Sequence, residues 1–182
     1  MSATANAVVR RPDSTGRRIV NAAFGIAATL LALTGLEARA APQAPSETER
    51  RNKTAVEAGF EAWAAGTGSP YDLLADDARW TIEGYSLASK TYPNRETFLR
   101  EVIRPFNARM QAPLKPVIRN LYADGDTVIV FFDARGIARD GKPYVNTYAW
   151  FLDMRDGRIV RASAFFDSVA FNEFWTRVTP SE

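Results

Sequence analysis

From Glu47 onward, apolar residues recur at helical spacing. Val56, Phe60 and Trp63 lie four and three residues apart, with Ala55, Ala58, Ala62 and Ala65 around them, and this predicts a helix with one apolar face. Gly66-Thr67-Gly68 ends it. Ser69 and Pro70 supply a cap and a first-turn proline, so residues 71–75 read as a short second helix and residues 80–83 as a strand. A loop over 84–93 leads to a third helix. Asn94 is its cap, Phe98, Leu99, Val102, Ile103 and Phe106 form its apolar face, and Pro105 ends or kinks it. Beyond residue 114 the period falls from 3.6 to 2, the spacing of strands. The runs 114–123, 127–138, 142–154 and 158–166 are separated by Asp124-Gly125, Arg139-Asp140-Gly141 and Asp156-Gly157, which are hairpin turn signals. A helix over 168–177 closes the chain. Helices followed by an antiparallel meander give an α+β domain over 47–179, with helices covering one face of a curved sheet.

The first forty residues follow a different pattern. Arg10, Arg11, Arg17 and Arg18 precede a largely apolar run over 19–36, and Ala38-Arg39-Ala40 stands before Ala41. That order predicts a signal peptide over 1–40. Residues 41–46 are expected to form a disordered Pro- and Ala-rich tether, and the mature protein is expected to be periplasmic or secreted. The general and twin-arginine routes both stay open. Asn21, Gly25, Thr29, Thr34 and Gly35 interrupt the apolar run, which makes it a poor membrane span, so no stable membrane insertion is expected after cleavage.

Charge changes with the leader. The chain has 23 basic and 21 acidic residues; the leader holds five of the former and two of the latter, leaving 18 against 19, a net of −1. No mature segment clusters Lys and Arg on one face, so nucleic acid is not an expected partner. The chain has no Cys and no His, which excludes disulfides, thiol nucleophiles, Ser-His-Asp triads and His- or Cys-ligated zinc. Neither a metal site nor a cofactor is expected.

The segments WTIEG (80–84), KTYPNRETF (90–98) and NTYAWFLDMRDGRIVRASAFFD (146–167) carry a family resemblance. With the element order, they resemble the SnoaL-like and ketosteroid-isomerase-like branch of the nuclear-transport-factor-2-like superfamily. The resemblance implies a cone: a curved antiparallel sheet wrapped over three N-terminal helices, a short C-terminal helix, and a mainly apolar pocket inside. Similar proteins include isomerases, polyketide cyclases, epoxide hydrolases and proteins without known reaction, so fold alone does not assign function.

Alternation divides each strand into two faces, and the resemblance turns one inward. It places Tyr144, Asn146, Tyr148, Trp150 and Leu152 inside, with Phe132, Ala134 and Gly136, with Val160, Ala162, Ala164 and Phe166, and with Trp80 and Ile82. Trp80, Ile82, Tyr92, Phe132, Asn146, Tyr148, Trp150 and Ala164 are the candidate ligand-binding residues. Asn146 and Tyr148 are the polar pair that would orient an apolar small molecule or act as oxyanion donors. Phe131, Val145, Phe151, Ile159 and Phe165 fall on the other face, from which a homodimer through the outer sheet face is expected.

Two carboxylates compete for a catalytic role. The resemblance implies a proton-transferring acid near Glu83, although the register puts Ile82 at that position and only a bulge would turn Glu83 inward. Asp167 ends the last strand, where it serves either as a base at the pocket mouth or as the cap of the following helix. Asp133 and Arg135 fall on the outer face. Lys90, Tyr85 and Tyr92 sit in the 84–93 loop, within reach of a bound ligand. Similar epoxide hydrolases use an Arg-x-Asp pair and a further Asp; Phe132, Ala134 and Ala164 stand at those positions, so that mechanism is not expected. Two readings remain: a binding domain for a small apolar molecule, and an isomerase- or cyclase-type enzyme with Glu83 or Asp167 as base.

Overall fold

The computed structural model describes residues 44–181. The signal peptide expected over 1–40 and the first half of the expected tether lie outside the described residues. Helix α1 spans Glu47–Ala65. Ser46 caps it: its hydroxyl accepts from Glu49 N–H, and the Glu49 carboxylate accepts from Ser46 N–H, satisfying two end groups at once. Gly66 ends the helix at φ 79°, a left-handed conformation glycine adopts without a Cβ clash. A 3-10 turn, Pro70–Leu73, then starts on the Ser69 cap.

Six strands form one curved sheet in the order β2-β1-β6-β5-β4-β3. They are β1 (Leu74–Ile82), β2 (Thr91–Tyr92), β3 (Met110–Asp124), β4 (Thr127–Ala138), β5 (Pro143–Arg155) and β6 (Arg158–Phe166). The last four form the expected antiparallel meander, and β1 joins it parallel to β6. β1 is longer than the sequence suggests. Its first half carries exposed Asp76 and Asp77 where pairing to β6 is irregular, so no clean alternation marks it. The two-residue β2 pairs with the end of β1 inside what reads as a loop.

The third helical stretch is composite. Helix α2 (Arg95–Phe98) runs into a π-helical turn, Leu99–Ile103, and then α3 (Arg104–Asn107). Pro105 has no N–H to donate and its ring crowds the preceding turn; the backbone answers by widening, with Arg104 N–H donating to Leu99 C=O. Helix α4 (Ser168–Arg177) closes the chain. Helix α1 packs on β3 and β4, α2 on β1, and α4 on β5.

The core lies between these helices and the inner sheet face. On β5, Tyr144, Asn146, Tyr148, Trp150, Leu152 and Met154 are all buried, as the alternation predicts. Rings interlock there: Trp80 stacks on Phe98 with centroids 4.5 Å apart, and Phe132 stacks on Tyr148 at 4.8 Å. Each buried ring of this size contributes roughly 2–3 kcal/mol.

One register expectation is corrected. Ile159 is buried, 1% exposed, and Val160 is not on the inner face. Met154 pairs with Ile159 and Asp153 with Arg161, so the β5–β6 register shifts there. Val160 is the extra residue of that bulge, and a bulge exchanges the faces of everything on its far side. The remaining outer residues are exposed or half-buried: Val145 at 52%, Phe151 at 39% and Phe165 at 47%. Phe131 is half-buried beneath the Arg119 guanidinium.

Candidate functional site

A cavity of about 580 Å³ opens between the helices and the inner sheet face. β1 contributes Trp80 and Ile82, β5 contributes Tyr148 and Trp150, and β6 contributes Ala164. These five expected ligand-binding residues share its wall. Ala164 pairs with Ile82 on one side and Trp150 on the other, and its small side chain leaves space between two large ones. Phe132 is wholly buried behind the wall, in contact with Tyr148 and Trp150, and does not line the cavity.

Tyr92 is also outside the lining. Its hydroxyl donates to Ala88 C=O at 2.7 Å, and its ring packs on Phe98 beneath Lys90. It pins the 84–93 loop to the core. Burial, with the negative charge of Glu101 second, pushes its hydroxyl up to about 12. Lys90 itself pairs with Glu101 at 2.7 Å, and Tyr85 is exposed on the loop.

Asn146 does not line the cavity. The β5–β6 ladder ends at Tyr148–Phe166, and the next N–H groups on either strand, Thr147 and Asp167, both donate to Asn146 Oδ1, at 2.8 and 2.9 Å. Its Nδ2 donates to Asp167 C=O at 3.0 Å and to the Tyr144 hydroxyl at 2.9 Å. Two donors and two acceptor sites are the whole capacity of an amide, so no group is left for a ligand. Asn146 extends the ladder by one side chain where β6 leaves the sheet.

Tyr148 is different. Its hydroxyl lies 3.1 Å from that of Tyr144, and Tyr148 lines the cavity. One of these two hydroxyls donates to the other, and Tyr144 also accepts from Asn146 Nδ2. Tyr148 is the member of this chain that lines the cavity. Tyr71, which no sequence pattern singles out, also lines it. Burial first, and then neighbouring hydroxyls, raise Tyr71 and Tyr148 well above the ordinary phenol value; Tyr144 is raised too, chiefly by burial. All three stay protonated at physiological pH and act as hydrogen-bond donors, not bases.

Neither proposed carboxylate reaches the cavity. Asp167 Oδ1 accepts from Val169 and Ala170 N–H at 2.8 and 3.2 Å, the cap of α4. Glu83 follows an unbroken register, Trp80–Ala162, Thr81–Ser163 and Ile82–Ala164. No bulge turns it, so it falls on the opposite face to Ile82. The proton-transfer reading is left without its base. Asp133 is held by Arg119 at 2.6 Å and Thr147 at 2.7 Å on the outer face, a structural network. Phe132, Ala134 and Ala164 are all buried, and none carries an ionisable group. Among the described residues no cluster of three acids could hold a metal ion, and no helix is long and apolar enough to cross a membrane.

A family model described as SnoaL-like domain matches residues 56–162, more than half of the chain. The chain belongs to the SnoaL-like domain family. Solved structures agree at the level of fold. Bal32a, from a soil-derived mobile gene cassette, is 22% identical, covers 70% of this chain and 98% of its own, and superposes with a TM-score of 0.59. A candidate SnoaL-like polyketide cyclase from Jannaschia sp. CCS1 is 16% identical over 74% of this chain and 98% of its own, with a TM-score of 0.60. TerC, co-crystallised with polyporic acid, is 20% identical over 69% and 98%, with a TM-score of 0.56. No protein of curated function matches the sequence. In this SnoaL-like domain, residues missed by sequence reasoning complete the wall: Trp63 from α1, Tyr71 from the 3-10 turn, Arg95 and Phe98 from α2, and Phe171 from α4. Phe98 and Phe171 stand on recognisable apolar faces. Arg95 and Tyr71 carry no such signal, because their approach to the cavity depends on how the helices dock.

Proposed function

We propose that this SnoaL-like domain is exported and binds a small apolar molecule in the cavity, with Tyr148 and Tyr71 as the hydrogen-bond donors that orient it. The observation that carries the reading is the cavity itself. Its volume of about 580 Å³ falls in the range of small-molecule sites, roughly 300–1,000 Å³. Its wall is aromatic and aliphatic with a few convergent polar groups, the composition such sites use. The fold relative TerC, co-crystallised with polyporic acid, is consistent with a pocket of this kind. An isomerase- or cyclase-type reaction would need a base other than Glu83 or Asp167.

The test is a thermal-shift screen of steroids, aromatic polyketides, terpenoids and fatty acids. A ligand at a hundred times its dissociation constant adds about 2.7 kcal/mol, a rise of roughly 5–10 °C for a domain of this size. A hit weakened by Tyr148→Phe supports the reading. A hit indifferent to cavity substitutions refutes it.

Export rests on the basic, apolar and Ala-Arg-Ala order of the leader. N-terminal sequencing of the protein from fractionated cells is expected to begin at Ala41. A cytoplasmic protein retaining its first residues would refute export. A homodimer through the outer sheet face rests on exposed Val145, Phe151 and Phe165, and a monomeric mass by light scattering would refute it.

A further inference from the structure

Arg95 lines the cavity, and its guanidinium makes no hydrogen bond with the described residues. Its side chain is 35% exposed; Nε is packed against protein, and the Nη groups are the donors open to a ligand. The nearest acid is Asp76, whose Oδ1 stands 3.9 Å from Arg95 Nη1 and whose side chain is fully exposed. At that distance and exposure the pair is a loose surface contact worth little. Glu96, the neighbouring acid on α2, is committed to Arg104 at 2.8 and 3.0 Å. Asp72, the acid in the cavity wall, accepts from Ser69 N–H in the cap of the 3-10 turn. The other cation of the wall, Lys115, donates to Ala64 C=O at 2.6 Å. The other buried and unpaired nitrogen, Nε of Arg177, lies 3.6 Å from Glu173 and outside this cavity.

A planar fork of donors with no protein partner matches an oxyanion. We propose that the ligand of this cavity is an apolar ring compound carrying one anionic group, a carboxylate or sulfonate, and that Arg95 binds that group. The inference rests on the proposed binding of an apolar molecule and adds its charge and its polarity along the cavity. The ring body lies among Trp80, Phe98 and Trp150, and the anion lies at Arg95.

Two fluorophores with the same body separate the two claims. 8-Anilinonaphthalene-1-sulfonate carries an anion; N-phenyl-1-naphthylamine is its neutral counterpart. Both are titrated against the full-length chain, against Arg95→Met, and against Leu99→Trp, which narrows the cavity from the π-helical turn. The wild type is expected to bind the sulfonate at least about tenfold tighter than the neutral dye, the scale of one hydrogen bond to a charged group. Arg95→Met is expected to abolish that preference and leave neutral-dye affinity within about twofold. Leu99→Trp is expected to weaken both dyes. If Arg95→Met fails to fold, raising salt on the wild type from about 0.05 to about 0.5 M is expected to weaken the sulfonate alone.

Equal affinities in the wild type, or equal losses in Arg95→Met, would overturn the anionic ligand while leaving apolar binding intact. So would a salt response common to both dyes. Binding of neither dye, or binding indifferent to Leu99→Trp, would overturn both claims.

Discussion

Replacing Asn146 with Ala separates a structural amide from a ligand-binding one. The substitution removes four hydrogen bonds of 2.8 to 3.0 Å from a residue only 3% exposed. Two backbone N–H groups, those of Thr147 and Asp167, lose their acceptor where the ladder has already ended. An unsatisfied buried donor costs about 1–3 kcal/mol. Water reaching this end of the sheet recovers part of that, so a loss of about 2–4 kcal/mol follows. For a domain of this size the melting temperature falls by roughly 10 °C. Urea unfolding followed by tryptophan fluorescence gives the free energy, and differential scanning fluorimetry gives the temperature. Tyr148→Phe is the partner measurement. It deletes one hydroxyl from the cavity wall and keeps the ring stacked on Phe132, so it is expected to cost under about 1.5 kcal/mol of stability. An Asn146→Ala protein melting within about 2 °C of the wild type while losing ligand would refute the structural assignment.

Tyr148→Phe is expected to weaken a bound ligand about tenfold by isothermal titration, the worth of one net hydrogen bond. Gly136→Ala is expected to destabilise the protein by about 1–3 kcal/mol in urea, because a Cβ there would collide with Met110 Cε and lie 2.9 Å from Ala112 O on β3. Phe151→Glu on the outer face is expected to leave the melting temperature within a few degrees and to halve the mass seen by light scattering if the sheet faces pair. Asp133 is held below its ordinary value of 3.8 by the Thr147 hydroxyl first and then Arg119, and Glu49 below 4.5 chiefly by the Gly125 N–H. A depressed value in the folded state means stability present above the ordinary value and lost as pH falls through the depressed one. The urea midpoint should therefore drop below about pH 4, and Asp133→Asn should flatten part of that limb. Tyr92, raised to about 12, behaves oppositely. Its contribution is complete below about pH 10 and lost on the way to 12, so its absorbance titration should coincide with unfolding and not precede it.

How far the sequence speaks depends on how local each cause is. The β5 alternation is legible because every second residue from Tyr144 to Met154 meets the same core. Ile159 is misplaced because one inserted residue, Val160, reverses the faces, and nothing in the string RIV marks it. β1 is legible only from Trp80, since exposed Asp76 and Asp77 interrupt the period before it. Pro105 announces a disturbance in the third helical stretch, but whether the backbone breaks, kinks or widens into a π turn is decided by packing against the sheet. The role of Asn146 is hidden for the same reason. Its partner Asp167 is 21 residues away, and only the end of the β5–β6 ladder brings the two together.

The distribution of unmet hydrogen-bonding capacity then locates the site better than polarity does. At the Asn146 end of the inner face every donor and acceptor of the amide is spent, and the Tyr144 hydroxyl is spent in holding it. At the helical side of the cavity the balance reverses: the Arg95 guanidinium makes no hydrogen bond with the described residues, and Leu99–Ile103 departs from regular α geometry. Local rules are broken most often where a protein makes room for something else. The polar pair that stands out on β5 is therefore divided in function. Asn146 closes the sheet, and Tyr148, joined to it through Tyr144, presents its hydroxyl in the cavity wall. The proposed ligand would then meet two polar groups from different elements, Tyr148 on the sheet and Arg95 on the helices. It would need a hydrogen-bond acceptor as well as an anion, a narrower demand than apolar size alone.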